Sequence, residues 1–459
     1  MSTSTPQSLV EHAVAASTSE ECVVIVQDST SANLRWANNT LTTNGVMHSV
    51  GVTVIAFHGA GNASVSGTAA SPEQVQALVE QADAQARVAR PAEDRADLVG
   101  GPASSDWDDA PVDTSVEVYR DFATALGTEF EQAEAERRIL YGFVNHELTT
   151  TYLGSSTGLR LRHVQPTGHY GCTGKPADLS ASAWVGGATR DFSDVSAHRI
   201  AADVATRLSW GSRRVDLPAG RYDTVLPPSA VADLMIDAYW SAGARVAHEG
   251  ETVYSRPGGG TRIGEAVVAP AVTLLSDPSY AGLECAPFVV ASGSSNDSSV
   301  YDNGLPLDRT SWIDHGVLRS LLQTRHSANL TGQPVTPGID NLVLDVDGGA
   351  GTDLDLVGDV QDGLLLTCLW YIREVDPQTL LLTGLTRDGV YRVEGGEITG
   401  AVNNFRFNES PVDLLRRFSA AGSTVPSFSR EWGDDYFSRT ATPALRIPDF
   451  NMSSVSQAL

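Results

Sequence analysis

Lysine is almost absent from this sequence, and the shortage of positive charge excludes two classes of protein. Lysine and arginine together number 31 against 56 aspartates and glutamates, so the formal net charge is -25. Because nucleic-acid binding depends on clustered lysine and arginine, no nucleic-acid partner is expected. The only lysine, Lys175, follows Gly174, but His169 and Pro176 stand where a phosphate-binding loop needs glycine and serine or threonine. A nucleotide-phosphate loop is therefore excluded.

Cysteine is also scarce. The chain has four cysteines, far apart and without any Cys-x-x-Cys pair: Cys22, Cys172, Cys285 and Cys368. Metal knuckles and dithiol redox motifs need such close pairs. We therefore interpret these residues as four separate buried thiols.

Long apolar runs are missing as well. The most apolar run, near Leu364 to Ile372, is far shorter than the roughly 20 residues that span a bilayer as a helix. No lysine or arginine precedes Arg35, so the basic start of a secretory signal is absent. These features predict a cytoplasmic protein without a membrane partner.

Histidines do not cluster with metal-ligand spacing. His146-Glu147 and His248-Glu249 each begin like a zinc-peptidase motif, but threonine or valine follows where the second histidine is needed. Zinc requires three or four converging protein ligands. The sequence therefore predicts no metal site and no cofactor in this chain.

The length of 459 residues corresponds to about three domains at roughly 150 residues each. The apolar pattern predicts three strands near the start of the chain, Cys22–Gln27, Leu34–Ala37 and Val50–Phe57. A helix capped by Ser71 is predicted to follow them. We predict an α+β fold with an N-terminal β-β-β-α unit over 1–105, with disordered first residues and an acidic linker. A middle α+β unit over 106–217 and a large β-rich domain over 218–459 complete the prediction.

The stretch from Pro218 to Pro278 carries the most informative pattern. A turn and a short strand, 218–226, lead into a helix that we expect to be capped by Ser229, with one apolar face at Val231, Leu234, Met235 and Ala238. A glycine run and a further strand follow. This order resembles the TldD/PmbA family. The resemblance extends along the chain through Ala32–Asn39, Ser156–Arg160, Asp302–Gly304, Gly316–Leu318 and Gly384–Gly389.

The chain departs from the family where the family binds zinc. In the TldD branch the helix carries His-Glu-x-x-x-His, whereas this helix has no histidine and only Asp233 and Asp237 as acids. A cysteine near the C-terminus completes the TldD site, but none follows Cys368, and Ala441–Ile447 occupies that region. The resemblance therefore implies the TldE (PmbA)-like branch. It implies a subunit without catalytic or metal-binding residues that pairs with a TldD-like protease, whose zinc would cut peptides or unfolded proteins.

One loop is a candidate for contact with such peptides. It contains three consecutive glycines, and its candidate residues are Arg256, Gly258, Gly259, Gly260 and Arg262. By resemblance the loop follows the zinc-bearing helix of active relatives, so it would line a chamber shared with the partner. A flexible surface loop is the alternative interpretation.

Two other functions stay open. Gly154–Gly158 matches the G-x-S-x-G of a nucleophile elbow, which would make the chain an autonomous hydrolase using Ser156. The alternation of the residues that follow it favours a hairpin turn instead. A peptide-binding adaptor without protease activity is the remaining possibility.

Overall fold

The computed structural model describes residues 4–433 and 437–456. The helices are α1 Pro6–Ala16, α2 Pro72–Val88, α3 Arg120–Ala135, α4 Ala197–Trp210, α5 Pro228–Trp240, α6 Ala244–Glu249, α7 Arg325–Thr331, α8 Asp353–Gly358 and α9 Pro411–Arg417. The strands of the first half are β1 Glu21–Ala37, β2 Thr40–His58, β3 Gly61–Thr68, β4 Arg138–Ser155, β5 Arg160–Pro176, β6 Ala183–Thr189, β7 Arg214–Val215 and β8 Gly220–Leu226. The strands of the second half are β9 Val272–Ser276, β10 Thr310–Asp314, β11 Val317–Leu318, β12 Leu342–Val346, β13 Asp362–Leu366, β14 Leu369–Asp376, β15 Leu381–Thr386, β16 Val390–Glu394, β17 Glu397–Val402, β18 Phe405–Glu409, β19 Ala420–Ala421, β20 Val425–Ser427, β21 Thr440–Thr442 and β22 Leu445–Val455.

The first sheet has the order β3-β2-β1-β4-β5-β6 and is antiparallel throughout. The central pairing joins β1 to β4 from Val23 opposite Ser155 to Trp36 opposite Gly142. Strands on both sides of the predicted boundary at 105–106 therefore belong to one sheet. The domain boundaries themselves stay a prediction.

Two strand predictions were too short. The segments 22–27 and 34–37 are the two ends of the single 17-residue strand β1. Polar residues such as Asp28 and Thr30 interrupt the apolar pattern of β1, yet both are buried. Burial within the tertiary structure therefore keeps the strand continuous where the sequence pattern suggested a break.

The first residues differ from the expected disorder, because Pro6–Ala16 forms α1 with Thr5 as its N-cap. Thr5 accepts from the Ser8 amide, and Leu9, Val10 and Ala13 are buried in the core shared with α2. Residues 1–3 lie outside the described part of the chain. The helix is thus stabilised by tertiary packing of its apolar face.

Helices cover one face of the first sheet. Residues at even positions of β1 pack on α1 and α2 at one end and on α3 and α4 at the other. Because side chains alternate along a strand, the odd positions face the opposite side. There Val23 and Ile25 pack against Phe288, Val300 and Tyr301. The second face of the sheet is therefore turned toward the C-terminal part, residues 218–459.

The C-terminal part is built on two further sheets. One has the order β11-β10-β9-β12-β21-β20, and the other runs β14-β15-β18-β22-β8-β13-β16-β17-β7, with β19 paired to β22. A hairpin turn at Gly395-Gly396 joins β16 to β17, and both glycines have positive φ. The predicted α+β class with a large β-rich domain is confirmed.

Helix α5 lies in the centre of the C-terminal part. It begins at Pro228 with Pro227 as its N-cap, so Ser229 is inside the first turn and is not the cap that the sequence suggested. The predicted apolar face is buried, and so are Ala232, Asp233 and Ile236 on the other faces. A helix buried on nearly all sides is a core helix. Among the helices of residues 4–433 and 437–456, none is long and apolar enough to cross a membrane.

Candidate functional site in the cleft beside the first sheet

The second face of the first sheet forms one wall of a cleft. Four neighbouring strands place Arg35, Phe143, Gly171 and Gly186 in one row across β1, β4, β5 and β6. Because residues paired across an antiparallel sheet point to the same face, these four lie on the side away from the helices. Two of the four positions are glycine, so the row is shallow at β5 and β6.

The shallow end of the row is occupied by the ring of Trp184. A Cβ atom at Gly186 would lie 2.2 Å from Cζ2 of Trp184 and 2.8 Å from the backbone oxygen of Tyr170, which is too close for any other residue type. A Cβ atom at Gly171 would lie 3.3 Å from Nε1 of the same tryptophan. Glycine in a strand interior commonly allows such a close approach. The tryptophan ring therefore lies against the sheet.

The C-terminal part supplies the opposite wall. The guanidinium carbon of Arg430 lies 5.0 Å from the ring centroid of Trp184 and 4.8 Å from that of Trp370. Phe428 stacks on the ring of His169, with centroids 5.6 Å apart and planes 18° from parallel. A cation between two indole faces is a favourable arrangement worth about 1 kcal/mol or more per face. The guanidinium thus joins the sheet to the C-terminal part.

These two walls enclose a cavity of about 520 Å³, which we name the aromatic cavity. Its lining is Arg35, Trp36, Ala37, Tyr141, Gly142, Phe143, His169, Tyr170, Gly171, Thr173, Trp184, Trp370, Phe428 and Arg430. Small-molecule sites commonly measure about 300–1,000 Å³ and combine apolar walls with a few polar groups. The aromatic cavity has that size and composition.

A second cavity of about 630 Å³, which we name the polar groove, adjoins the first, since Tyr170 and Phe428 line both. It runs beside β6, the edge strand of the first sheet. Arg190 in its wall is paired with Glu284, and Arg439 contacts Asp340 at 3.4 Å. The two cavities together form one continuous cleft between the sheet and the C-terminal part.

Asp233 of α5 holds the turn that carries Arg430. Its Oδ1 atom accepts hydrogen bonds from the Ser429 hydroxyl at 2.6 Å and from the Glu431 amide at 3.1 Å. Nε1 of Trp432 donates to the backbone oxygen of Asp233 at 3.2 Å. The buried helix therefore positions the turn, and the turn places Phe428 and Arg430 in the cleft.

The two acids of α5 have pKa values well above the ordinary value for aspartate. Burial raises the pKa of Asp233 to about 7 and that of Asp237 to about 7. Oδ2 of each carboxyl has no hydrogen-bond partner among the described residues. Each carboxyl binds its proton more tightly in the folded state than in the unfolded state. The folded state therefore loses stability as the pH rises from the ordinary pKa of aspartate, near 3.8, through the raised pKa of the folded state.

This perturbation predicts a pH-dependent effect of Asp233→Asn. Asparagine keeps an Oδ1 acceptor for Ser429 and Glu431 but cannot ionise, so it avoids the cost of a buried charge. Between about pH 5.5 and about pH 8, wild type is expected to lose about 2 kcal/mol more unfolding free energy than the variant. Urea unfolding at both pH values measures this difference. The control is Asp216→Asn, at an exposed aspartate, and parallel pH profiles for wild type and Asp233→Asn would contradict the prediction.

The donor set on and near α5 does not fit zinc. Asp233 already accepts two hydrogen bonds through Oδ1, and no histidine lies on the helix. The predicted ligand region at 441–447 falls in β21 and β22 and the turn between them, with Thr440 and Thr442 buried and no cysteine. Within 4–433 and 437–456, no three or more His, Cys, Asp or Glu side chains are grouped to hold a metal ion. The described residues on and near α5 therefore do not supply the ligands of a zinc site.

The glycine loop lies outside both cavities, as neither lining includes Arg256, Gly258, Gly259, Gly260 or Arg262 among the residues described. Arg256 donates its amide to the Gly260 oxygen at 2.8 Å, and Arg256 and Arg262 both pair with Glu265. The three glycines have φ of 90°, 112° and 85°. The left-handed backbone thus gives a structural reason for all three glycines, and contact with a peptide stays a prediction.

Ser156 lies in the hairpin turn between β4 and β5. Its Oγ accepts from the Cys22 amide at 3.0 Å, and its own amide donates to the Cys22 oxygen at 2.9 Å. A nucleophile elbow requires a helix after its strand, whereas a strand follows here. The hairpin interpretation is confirmed.

The histidine and lysine candidates are dispersed. His146 is buried on β4, where Nδ1 lies 2.6 Å from the Thr114 hydroxyl and Nε2 lies 2.7 Å from the Arg190 oxygen. Burial lowers the pKa of His146, which favours a neutral, hydrogen-bonded role. His248 is exposed at the end of α6, and Lys175 lies on β5. The structure brings none of these three into the cleft.

Sequence reasoning missed the residues that build the cleft. Trp184, Trp370 and Arg430 lie far apart in the chain, and none belongs to a motif with local spacing. The only available signal was the surplus of glycine in 168–187, which is typical of close backbone approach within strands. Their convergence depends on how the first sheet packs against the C-terminal part.

The fold defines an α+β protein with a large β-rich C-terminal part and a cleft between that part and the first sheet. Residues 219–454 match the family model described as the PmbA/TldA metallopeptidase C-terminal domain, and residues 22–86 match the one described as PmbA/TldA metallopeptidase domain 1. The chain belongs to the PmbA/TldD family, as the order of its motifs suggested.

Solved structures share the fold over nearly the whole chain. TldE from Thermococcus kodakarensis is 15% identical with a TM-score of 0.75, covering 96% of this chain and 98% of that one. A putative modulator of a DNA gyrase from Thermotoga maritima is 17% identical with a TM-score of 0.73, covering 94% and 95% of the two chains. One from Bacteroides thetaiotaomicron is 14% identical with a TM-score of 0.74, covering 98% of each chain. Comparison with curated proteins gives no match.

Proposed function

We propose that this chain is a TldE-like subunit without zinc ligands that pairs with a TldD-like zinc metallopeptidase. The pair would process or degrade peptides and unfolded proteins in the cytoplasm, with zinc in the partner subunit. The observation that carries the proposal is α5, which keeps the position and burial of a core helix but has no histidine. Its Asp233 serves to hold the 429–432 turn instead.

The cleft supports a role in contact with peptides. It combines aromatic walls with arginines and runs beside the edge strand β6. Extended peptides commonly add to such an edge through backbone hydrogen bonds. An adaptor without protease activity would use the same cleft, so the presence of a protease partner is what separates these functions.

Assembly is the first test of the proposal. The tagged chain, coexpressed with an untagged TldD-like protein from the same genome, is expected to copurify with it and to elute as one complex in size-exclusion chromatography. Elemental analysis should find about one zinc per partner chain in the complex and no zinc in this chain purified alone. Separate elution of the two proteins, or about one zinc per isolated chain after mild chelation, would contradict the proposal.

The glycine loop is proposed to line the chamber between the subunits. Replacing Gly258 and Gly260 with Val is expected to lower peptide turnover by the complex without preventing assembly. Because both glycines have positive φ, valine also strains the loop. The matched variants with Asn, which tolerates positive φ better, separate strain from contact. If the loop contacts peptide, both the double Val variant and the double Asn variant should have lower turnover. Unchanged turnover in the double Asn variant would mean that the segment is only a surface loop.

A further inference from the structure

The aromatic cavity carries positive charge in a strongly acidic protein. Among its described lining residues are Arg35 and Arg430 but no aspartate or glutamate, although the whole chain has a formal net charge of -25. A further cation, Arg387, lies behind the wall, with its guanidinium carbon 5.6 Å from the ring centroid of Trp370. Concentrated cations in a concave site attract and hold an anion.

Within residues 4–433 and 437–456, Arg430 and Arg387 share one carboxylate. Arg430 contacts Asp388 at 3.4 Å, and Arg387 shares the same carboxylate at 3.5 Å. Nη1 of Arg430 has no hydrogen-bond partner among the described residues, although it is buried. Arg35 is exposed at the rim, and the structure gives its guanidinium no ion pair within residues 4–433 and 437–456. Arg35 therefore presents an exposed guanidinium to an anion in the cavity, where a charged hydrogen bond would form.

The side chains that line the aromatic cavity favour one chemical class of anion. Beside the arginines stand the rings of Phe143, Trp184, Trp370 and Phe428, which favour an aromatic or apolar group. A phosphate is usually held by free backbone amides at a helix N-terminus or glycine loop. Here the wall is a sheet whose strands β4, β5 and β6 are paired along their length. A carboxylate attached to an apolar body fits this combination better.

We infer that the aromatic cavity binds the C-terminal residue of a peptide, with its side chain among the aromatic rings and its free carboxylate at Arg430 and Arg35. The preceding residues would lie in the polar groove beside β6, which adjoins the cavity through Tyr170 and Phe428. The biological use of the bound peptide rests on the proposed function, whereas binding requires only this chain.

Calorimetric titration of the isolated full chain tests the inference. The ligands are a tetrapeptide ending in phenylalanine with a free carboxylate, its C-terminal amide, and an amidated peptide with an internal glutamate. The free acid is expected to bind at least about tenfold more tightly than its amide, as a charged hydrogen bond would give. Equal binding of acid and amide, no binding of the acid at millimolar concentration, or equal binding of the internal-glutamate peptide would overturn the inference. The inference would also be overturned if inorganic phosphate bound the cavity as tightly as the free-acid peptide does.

Variants locate the carboxylate. Arg430→Gln is expected to abolish the difference between acid and amide, and Arg35→Gln to weaken acid binding by about threefold, as for a more exposed charge. Arg214→Gln, at an exposed arginine outside the cavity, should change nothing. If Arg430→Gln does not fold, as judged by circular dichroism, the Arg35→Gln and wild-type titrations still decide. A full acid preference in a folded Arg430→Gln variant would refute the assignment. Because no partner is present, failure here leaves the assembly test untouched.

Discussion

Purified alone, this chain is expected to cleave no peptide, and adding a TldD-like subunit is expected to produce cleavage that a chelator abolishes. Zinc peptidases depend on a metal that polarises the carbonyl and activates water. In the described part of this chain α5 has no histidine, and no cluster of ligands is present elsewhere. Peptide cleavage followed by mass spectrometry, with and without partner and chelator, measures the effect. Cleavage by the isolated chain would contradict the non-catalytic assignment.

Variants in the assembled complex divide the roles of the two subunits. Changing the partner's zinc ligands to Ala should reduce cleavage to background. Asp233→Asn or Asp237→Asn in this chain should leave cleavage largely intact, because asparagine retains an oxygen acceptor at each position. Loss of activity in a properly assembled Asn variant would show that an α5 carboxylate takes part in the reaction.

Replacing Gly142 with Ala is expected to destabilise the protein by about 3 kcal/mol. A Cβ atom there would lie 2.1 Å from Cζ2 of Trp36 and 2.5 Å from the backbone oxygen of Gly171. Trp36 is buried and packs on Phe122 and Phe130 of α3, with ring centroids 6.1 and 6.5 Å apart. Neither the tryptophan nor the strand backbone can move aside without disturbing the sheet, so the overlap costs packing energy.

Gly127→Ala is the matched control for this change. Gly127 lies within α3, and a Cβ atom added there meets nothing within 4 Å. Alanine in an exposed helix interior should stabilise by about 0.5–1 kcal/mol. The two variants should therefore shift the urea midpoint in opposite directions. Similar midpoints for both would mean that the first sheet accommodates a methyl group beside Trp36, contrary to the close packing described.

Some local features were predictable because their causes are local. Ser71 accepts a hydrogen bond from the Gln74 amide and is the N-cap of α2, as the sequence predicted. The predicted start of α5 was wrong. Ser229 follows two successive prolines, Pro227 and Pro228, and was the more obvious cap in the sequence. Proline is favoured at the first helical position, and the helix begins at Pro228, two residues earlier than a Ser229 cap would place it.

The amino-acid sequence by itself determined the α+β class, the family and the lack of a zinc motif. Each of these follows from residue types and short spacings, such as the absence of histidine between His198 and His248. The tertiary structure alone decided that β1 and β4 make one sheet and that Trp184, Trp370 and Arg430 meet in one cavity. Side chains so distant in the chain come together only when buried faces pack, and that packing depends on the whole molecule rather than on local propensity.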